Sequence, residues 1–123
     1  MSEHARKTLT FITRKAPYGQ HGAKASLDMV LSAAVFDQQV HYIFMGEGVL
    51  QLRRGQQPGA IDAKDLSAAF SALPLYDVDS IHVEAEALQA RGMSAQDLVI
   101  PVKVASAADI ATLIHHSDAV FNL

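Results

Sequence analysis

A short apolar strand that ends in a polar loop decides the fold of this chain. The strand reads Thr8-Leu9-Thr10-Phe11-Ile12-Thr13, and the loop continues as Arg14-Lys15-Ala16-Pro17-Tyr18-Gly19-Gln20-His21-Gly22. An amphipathic helical pattern begins directly after the loop. In open α/β sheets, ligands and partners bind at the carboxyl ends of the strands. We therefore expect the functional surface to include this loop.

Similar apolar runs recur along the chain. They lie at 8–13, 40–45, 80–84, 99–104 and 118–122 and are rich in Val, Ile and Phe, which is typical of strands covered on both faces. Helical patterns separate them, so strands and helices alternate. The sequence predicts an α/β fold: a single three-layer α/β/α domain with a mainly parallel five-stranded sheet, flavodoxin-like in appearance. This pattern leaves the order of the strands open.

The predicted helices have apolar faces and recognisable start signals. Ser106 with Asp109 is a capping-box pattern for the last helix, and Asp62 with Asp65 is a similar signal for the second. Three sets of residues follow helical spacing: Leu27, Val30, Leu31, Ala34 and Val35; Leu66, Ala69, Phe70 and Leu73; and Ile110, Leu113 and Ile114.

Two further residues predict where elements end. A short helix from about Glu86 should end at Gly92, where glycine accepts a left-handed conformation at little cost. Pro101 cannot donate a hydrogen bond to a neighbouring strand. The fourth strand should therefore begin after Pro101 or lie at an edge of the sheet.

Length and composition indicate one globular domain. The chain has 123 residues, half of them hydrophobic and 19% charged, with a formal net charge of -3. We expect the domain to span residues 1–123, with 1–7 as a frayed polar tail and no signal peptide. The charge argues against a strongly basic nucleic-acid binder, and no apolar run approaches the ~20 residues of a membrane-spanning helix. A cytoplasmic location fits these features.

The sequence contains no cysteine. That excludes disulfides, zinc-thiolate and iron–sulfur ligation, and any thiol nucleophile or persulfide carrier within these residues. A Walker A sequence and a Gly-x-Gly-x-x-Gly turn are also missing, so the sequence predicts no nucleotide cofactor.

The first loop holds candidate binding residues. Arg14 and Lys15 could meet an anion or the carboxylates of a partner, and Tyr18 could pack against a partner. His21 is the histidine with a functional location, and acid–base chemistry there is a hypothesis. The alternative is a solvated loop stiffened by Pro17.

The segment after the second strand is another candidate surface. Gly46 and Gly48 would allow a tight turn or a close approach of two backbones. The apolar residues Val49, Leu50 and Leu52 follow, in a segment expected near the surface. They either cover the core or contact another subunit, and we slightly favour the subunit contact.

The other histidines predict no metal site and no catalytic site. His115 and His116 are adjacent on a helix and point about 100° apart, which is poor geometry for shared ligation. His4 lies in the tail. His41 and His82 lie within strands, where packing or a satisfied hydrogen bond is favoured over ligation.

Six short motifs, taken in order, cover nearly the whole chain. They are Arg14-Lys15-Ala16-Pro17-Tyr18-Gly19; Ala33-Ala34-Val35-Phe36-Asp37-Gln38; Gly48-Val49-Leu50-Gln51-Leu52 with Arg54-Gly55-Gln56; Leu75-Tyr76-Asp77; Leu88 to Gly92; and Ser117-Asp118-Ala119-Val120. In this order and spacing they resemble the DsrE/DsrF-like family, and within it the TusC/DsrF branch.

The resemblance implies a subunit and not a free-standing enzyme. TusC-like proteins associate with a TusD/DsrE-like subunit, which carries the active cysteine after its third strand, and with a TusB/DsrH-like subunit, in a heterohexamer. That complex passes persulfide sulfur toward tRNA wobble 2-thiouridine. The DsrE-DsrF-DsrH counterpart serves dissimilatory sulfur oxidation. A tRNA would be only an indirect partner of this chain, and a membrane none.

The resemblance also relates Glu84 to a functional position of the family. An ungapped count back from Arg91 and Gly92 puts Glu84 at the position equivalent to the family cysteine, and a carboxylate cannot hold a persulfide. The resemblance therefore implies a non-catalytic scaffold, anchored by Tyr18 and the apolar residues after the second strand. Charged substitution at Leu50 or Leu52 is then expected to weaken assembly while the monomer stays folded.

Two interpretations of other classes stay open. A small acid–base enzyme would use His21, Glu84 or Glu86, although the two carboxylates are more simply explained as solvated charges at a helix start. A homo-oligomeric anion-binding module would use the first loop, and anions would then raise its thermal stability.

Overall fold

Five strands form one parallel sheet in the computed structural model, which describes residues 7–14, 22–36, 38–53, 68–78 and 80–123. The strands are β1 (Thr8–Thr13), β2 (Gln39–Phe44), β3 (Ser80–Glu84), β4 (Lys103–Ala105) and β5 (Ala119–Asn122). Their order is β4-β3-β2-β1-β5, and every pairing is parallel. The predicted five-stranded parallel sheet is confirmed.

Helices pack on both faces of this sheet, as the three-layer prediction requires. The α-helices are α1 (Gly22–Ala34), α2 (Ala85–Ala90) and α3 (Ala107–His115), and residues 68–71 are also helical. Short 3₁₀ helices span Gly46–Leu52, Leu73–Tyr76 and Ala95–Asp97. Within the described ranges, no helix is long and apolar enough to cross a membrane.

The larger core lies on the sheet face that α1 covers. Alternate residues of the central strands, such as Phe11, Tyr42 and Phe44, meet Leu27 and Val30 of α1 there. The same core holds Phe70, Leu73, Ala87 and Leu88 from the later helical segments. This arrangement follows from the period of two in strands and the helical spacing of the apolar residues on α1.

A smaller core lies on the opposite face, under α3. Ile12 and Ile43 of the two central strands pack there with Ala105 of β4 and Ile110 of α3. The spacing of apolar residues on α3 predicted this packing, and Leu113 and Ile114 contact the same core while half-buried.

The fourth strand differs from its prediction over 99–104. β4 begins only at Lys103, after Pro101, and lies at an edge of the sheet, in agreement with the restriction that Pro101 imposes. The apolar residues Leu98 and Ile100 precede the strand as irregular structure and are buried in the larger core. A short apolar run alone does not separate a strand from a buried irregular segment.

Most predicted helix ends are confirmed where they fall in the described ranges. Asp109 N donates to Ser106 Oγ over 3.1 Å at the start of α3. Gly92 follows α2 with a φ of +63°. Val35 is exposed because α1 ends at Ala34, so that the side chain lies in the following turn. The signals at Asp62, Asp65 and Leu66 lie outside the described residues.

Hydrogen bonds hold the residue that precedes β1. Lys7, which was expected in the frayed tail, donates its amide to Gln38 Oε1 over 3.0 Å and accepts from Gln39 N over 2.9 Å. The sheet therefore anchors the chain from Lys7 onward.

Candidate functional site

The carboxyl ends of the three central strands form one continuous edge. The strand register places Thr13, Phe44 and Val83 side by side. After β1 the chain leaves the sheet at Arg14, and after β3 it leaves the sheet at Glu84. After β2 it continues through Met45 into the 3₁₀ helix Gly46–Leu52. The sequence predicted the first loop and the segment after β2 as two separate candidate surfaces. Because the strands are parallel and in this register, Arg14 at the start of the loop and the segment after β2 lie at the same edge of the sheet.

Two glycines shape the turn after β2. Gly46 has a φ of +51°, a left-handed conformation that favours glycine. Gly48 lies against the end of β1: a Cβ added to it would lie 2.3 Å from the carbonyl oxygen of Thr13. The same carbonyl oxygen accepts the amide of Met45 over 3.0 Å. Both structural roles predicted for these glycines, a tight turn and a close backbone approach, are confirmed.

The 3₁₀ helix folds inward, which corrects part of the predicted contact surface. Val49 and Leu52 are completely buried in the larger core. They are therefore not available to a partner. For both residues the other interpretation of the sequence holds, in which this segment covers the core. Leu50 is half-buried, and it remains a candidate for a partner contact.

A buried hydrogen bond that the sequence did not predict ties this helix to β1. Gln51 Nε2 donates to Thr13 Oγ1 over 2.9 Å, and both residues are buried. The only signal in the sequence is a glutamine between two leucines. With Gly48 on the Thr13 carbonyl group, this bond fixes the Gly46–Leu52 segment against the end of β1.

Glu84 holds the same turn from the other side. Its Oε1 accepts the amide of Gly46 over 3.1 Å, and the residue is half-buried at the junction of β3 and α2. Glu86 lies exposed in the first turn of α2, where a carboxylate is favoured by the helix dipole. The geometry gives Glu84 a structural role as a link between the ends of β2 and β3.

The first loop is only partly described. Arg14 is exposed, and its Nη1 donates to Asn122 Oδ1 of β5 over 2.7 Å. Arg14 therefore stands at the same edge as Glu84, held toward β5. Lys15, Tyr18 and His21 lie outside the described residues, and their assignments stay predictions.

Histidines and acidic residues of the described ranges do not combine into a metal site. No group of three or more side chains that could hold a metal ion occurs within the described part of the chain. His115 and His116 are both exposed at the end of α3, with ring centroids 5.6 Å apart and planes inclined at 77°. His4 falls outside the described residues.

Replacement of Glu84 by alanine should loosen the edge. Glu84→Ala removes the acceptor for Gly46 N, so we expect the free energy of unfolding to fall by about 1–2 kcal/mol. Glu84→Gln retains an oxygen acceptor and should lose clearly less. Urea unfolding measures both values. Equal losses in the two variants would show that the hydrogen bond to Gly46 is not the source of the stabilisation.

The comparisons with known proteins agree with this fold and edge. The model of the DsrE/DsrF-like family matches residues 7–123. A TusC homolog from Vibrio vulnificus (strain CMCP6) is 34% identical over 109 residues, which cover 89% of this chain and 92% of that protein. The intracellular sulfur oxidation protein DsrF from Allochromatium vinosum is 38% identical over 136 aligned positions, which cover 99% of each.

A solved structure shows the same fold. The crystal structure of the ychN protein from E. coli superposes with a TM-score of 0.79 at 20% sequence identity, and the match covers 97% of this chain and 100% of that one. The family match over residues 7–123 includes the edge built from β1, β2 and β3, and the two curated relatives cover 89% and 99% of the chain. The chain belongs to the DsrE/DsrF-like family.

Proposed function

We propose that this chain is a non-catalytic subunit of a sulfur-relay complex. The observation that carries the proposal is the lack of any cysteine among the 123 residues, in a chain similar to proteins named TusC and DsrF. Persulfide sulfur is carried on a thiol, and no residue here offers one. The sulfur must then travel on a cysteine of a partner subunit, which this chain helps to position.

The surroundings of Glu84 support this scaffold role. Glu84 stands at the position that the ungapped count makes equivalent to the family cysteine, and its carboxylate is engaged by the amide of Gly46. The same turn is fixed by Gly48 and Gln51 against the end of β1. An edge held in this way from both sides is suited to present a fixed surface, and a carboxylate there would repel a thiolate or persulfide.

Exposed apolar side chains offer contact surface for partners. Phe36 is 73% exposed and Leu75 84% exposed, with Tyr76 beside it. Phe36 precedes β2 and Leu75 precedes β3, so both lie toward the amino ends of neighbouring parallel strands. Leu75 and Tyr76 are neighbours in the chain, and contiguous exposed apolar surface is typical of protein–protein contacts. We propose that they serve assembly with TusD/DsrE-like and TusB/DsrH-like subunits in a heterohexamer.

Two alternative biological settings are compatible with this proposed subunit. The first is a TusBCD-like relay in the cytoplasm toward tRNA wobble 2-thiouridine, with the tRNA bound only indirectly. The second is a DsrF-like role in sulfur oxidation, which the 38% identity with the Allochromatium vinosum protein favours as an alternative. Transfer of labelled sulfur from the assembled complex to tRNA would support the first, and its retention on protein acceptors the second.

Persulfide loading of the assembled subunits tests the non-catalytic role. After loading with a persulfide donor, intact mass spectrometry should find added sulfur on the cysteine-bearing partner and none on this chain. Omission of this chain should lower onward transfer while the partner can still be loaded. Sulfur found on this chain, or unchanged transfer without it, would contradict the proposal.

A further inference from the structure

Three nitrogen-bearing side chains form a cluster on the sheet face that α3 covers. They are His41 of β2, His82 of β3 and Lys103 of β4, which we call the histidine–lysine cluster. The register pairs His41 with Ser80 and His82 with Lys103. Alternation along the strands puts all of them on the same face as Ile43. The cluster therefore lies on the same face as Glu84, two residues further from the carboxyl edge described above.

Among the residues that the structure describes, the cluster is packed but only partly covered. His41 Nδ1 is hydrogen-bonded to Ser80 Oγ, and the two imidazole rings meet edge to face with centroids 6.1 Å apart. Both imidazoles are half-buried, and Lys103 is exposed. Among the described residues, His82 Nδ1 is a buried nitrogen without a hydrogen-bonding partner. An unpaired buried polar atom costs free energy.

α3 covers only the neighbouring part of this face. Its Ile110 packs on Ile43 and Ala105, nearer the carboxyl ends of the strands. His41 precedes Ile43 by two residues, so the cluster continues the same face toward the amino ends, beside the helix and not under it. The structure thus places a polar cationic surface directly next to an apolar contact.

Lys103 is paired in register with His82, and the carboxylate that the three strands place on this face, that of Glu84, accepts the amide of Gly46. Burial lowers the pKa of His41, and Lys103 lowers it further. Burial likewise lowers the pKa of His82, and so do His41 and Lys103, while a hydrogen bond with the backbone of Ser80 opposes part of the shift. From β1 only the uncharged Thr10 faces this region, hydrogen-bonded to Ser117. No carboxylate of the described residues is among the groups that shift either pKa.

These shifts fix the direction of the pH dependence. With both pKa values lowered in the folded chain, the neutral imidazoles stabilise the fold above the ordinary histidine pKa of 6.5, and that stability is lost as the pH falls. A carboxylate placed against the cluster would raise both pKa values and favour proton uptake. Binding of such a group must therefore tighten as the pH falls.

The shape of the surface favours a protein ligand over a free anion. The cluster spreads over three adjacent strands, a width of about 10 Å at the usual strand spacing. A small anion reaches few of the donors on three strands at once and stays solvated. A protein surface that carries carboxylates can span the strands and exclude water, which strengthens each charged contact.

We propose that the histidine–lysine cluster docks an acidic segment of a partner subunit, with carboxylates that pair with Lys103 and accept hydrogen bonds from the two imidazoles. The proposal deepens the proposed function, on which it rests, because the partner is a subunit of the same complex. The acidic segment completes the uncovered part of the face beside α3. The carboxyl edge with Glu84 stays free for another contact.

Charge reversal at the exposed lysine tests the docking. Lys103→Glu should weaken assembly with the co-expressed partner subunits at least about tenfold, because a paired charge becomes a repelled one. Lys103→Arg is the matched control: it keeps the positive charge at the same exposed position and should assemble as the wild type does. Titration by light scattering at about pH 6 and about pH 8 should find tighter assembly of the wild type at the lower pH. His41→Gln with His82→Gln should abolish that difference, while circular dichroism confirms folded variants.

Each remaining outcome separates this inference from the proposed function. If wild type and Lys103→Glu assemble equally well, the docking inference is wrong and the relay role stands. If the wild type fails to assemble with folded partners, both are wrong. If Lys103→Glu weakens binding of tRNA and leaves assembly unchanged, the cluster binds a phosphate backbone and the protein partner proposed here is refuted.

Discussion

Gly48→Ala should destabilise the protein by about 3 kcal/mol, because the added methyl group overpacks a site lined by backbone atoms that cannot move away. The added Cβ would lie 2.3 Å from the carbonyl oxygen of Thr13, and that atom belongs to the backbone and not to a flexible side chain. The same part of β1 holds the hydrogen bonds from Met45 and Gln51, so a shift there breaks several contacts at once. Thermal unfolding followed by circular dichroism should show a decrease in Tm of about 10 °C.

Gly46→Ala provides the matched control for this substitution. Gly46 also takes part in the turn after β2, but a Cβ there would meet nothing within 4 Å. Gly46→Ala should therefore lose only the free energy that an alanine costs in a left-handed backbone conformation, about 1 kcal/mol. If the two variants lost equal stability, backbone conformation and not the contact with Thr13 would explain the requirement for glycine at Gly48.

Leu52→Asp should largely unfold the monomer, which corrects the expectation from sequence that this variant stays folded. Leu52 is completely buried in the larger core, and a carboxylate there would lose its hydration without a partner. A loss of about 4 kcal/mol or more is expected, which is a large part of the stability of a domain this size. Urea unfolding of the isolated chain measures it.

Leu50→Asp makes the same chemical change two residues earlier, at a half-buried position. That variant should retain a cooperative unfolding transition, and any loss should appear mainly in assembly with partner subunits. A folded Leu52→Asp monomer would contradict the burial of this residue. An unfolded Leu50→Asp monomer would end the case for Leu50 as a partner contact.

The central part of the fold follows from local patterns in the sequence. β1, β2, β3 and β5 lie within a residue of their predicted bounds, because runs rich in Val, Ile and Phe between helical patterns are a strong signal for buried parallel strands. β4 was the exception. Leu98 and Ile100 belong to an irregular segment that packs in the core, and the apolar run gave no sign of where pairing begins.

The contacts of the site depend on strand order, which alternation of elements leaves open. Glu84 meets Gly46 because β3 lies beside β2, and His82 meets Lys103 because β4 lies beside β3. The inward course of Val49 and Leu52 was likewise hidden, since apolar residues after a strand suit a core and an interface equally well. Tertiary neighbours, and not local propensity, decide such positions.

Native mass spectrometry of this chain after co-expression with TusD/DsrE-like and TusB/DsrH-like subunits tests the central claim most directly. The account predicts a mixed hexamer with two copies of each subunit, in which this chain carries no sulfur and its loss disperses the assembly. A folded chain that stays alone, while the other two subunits assemble without it, would contradict its role as a subunit of the relay.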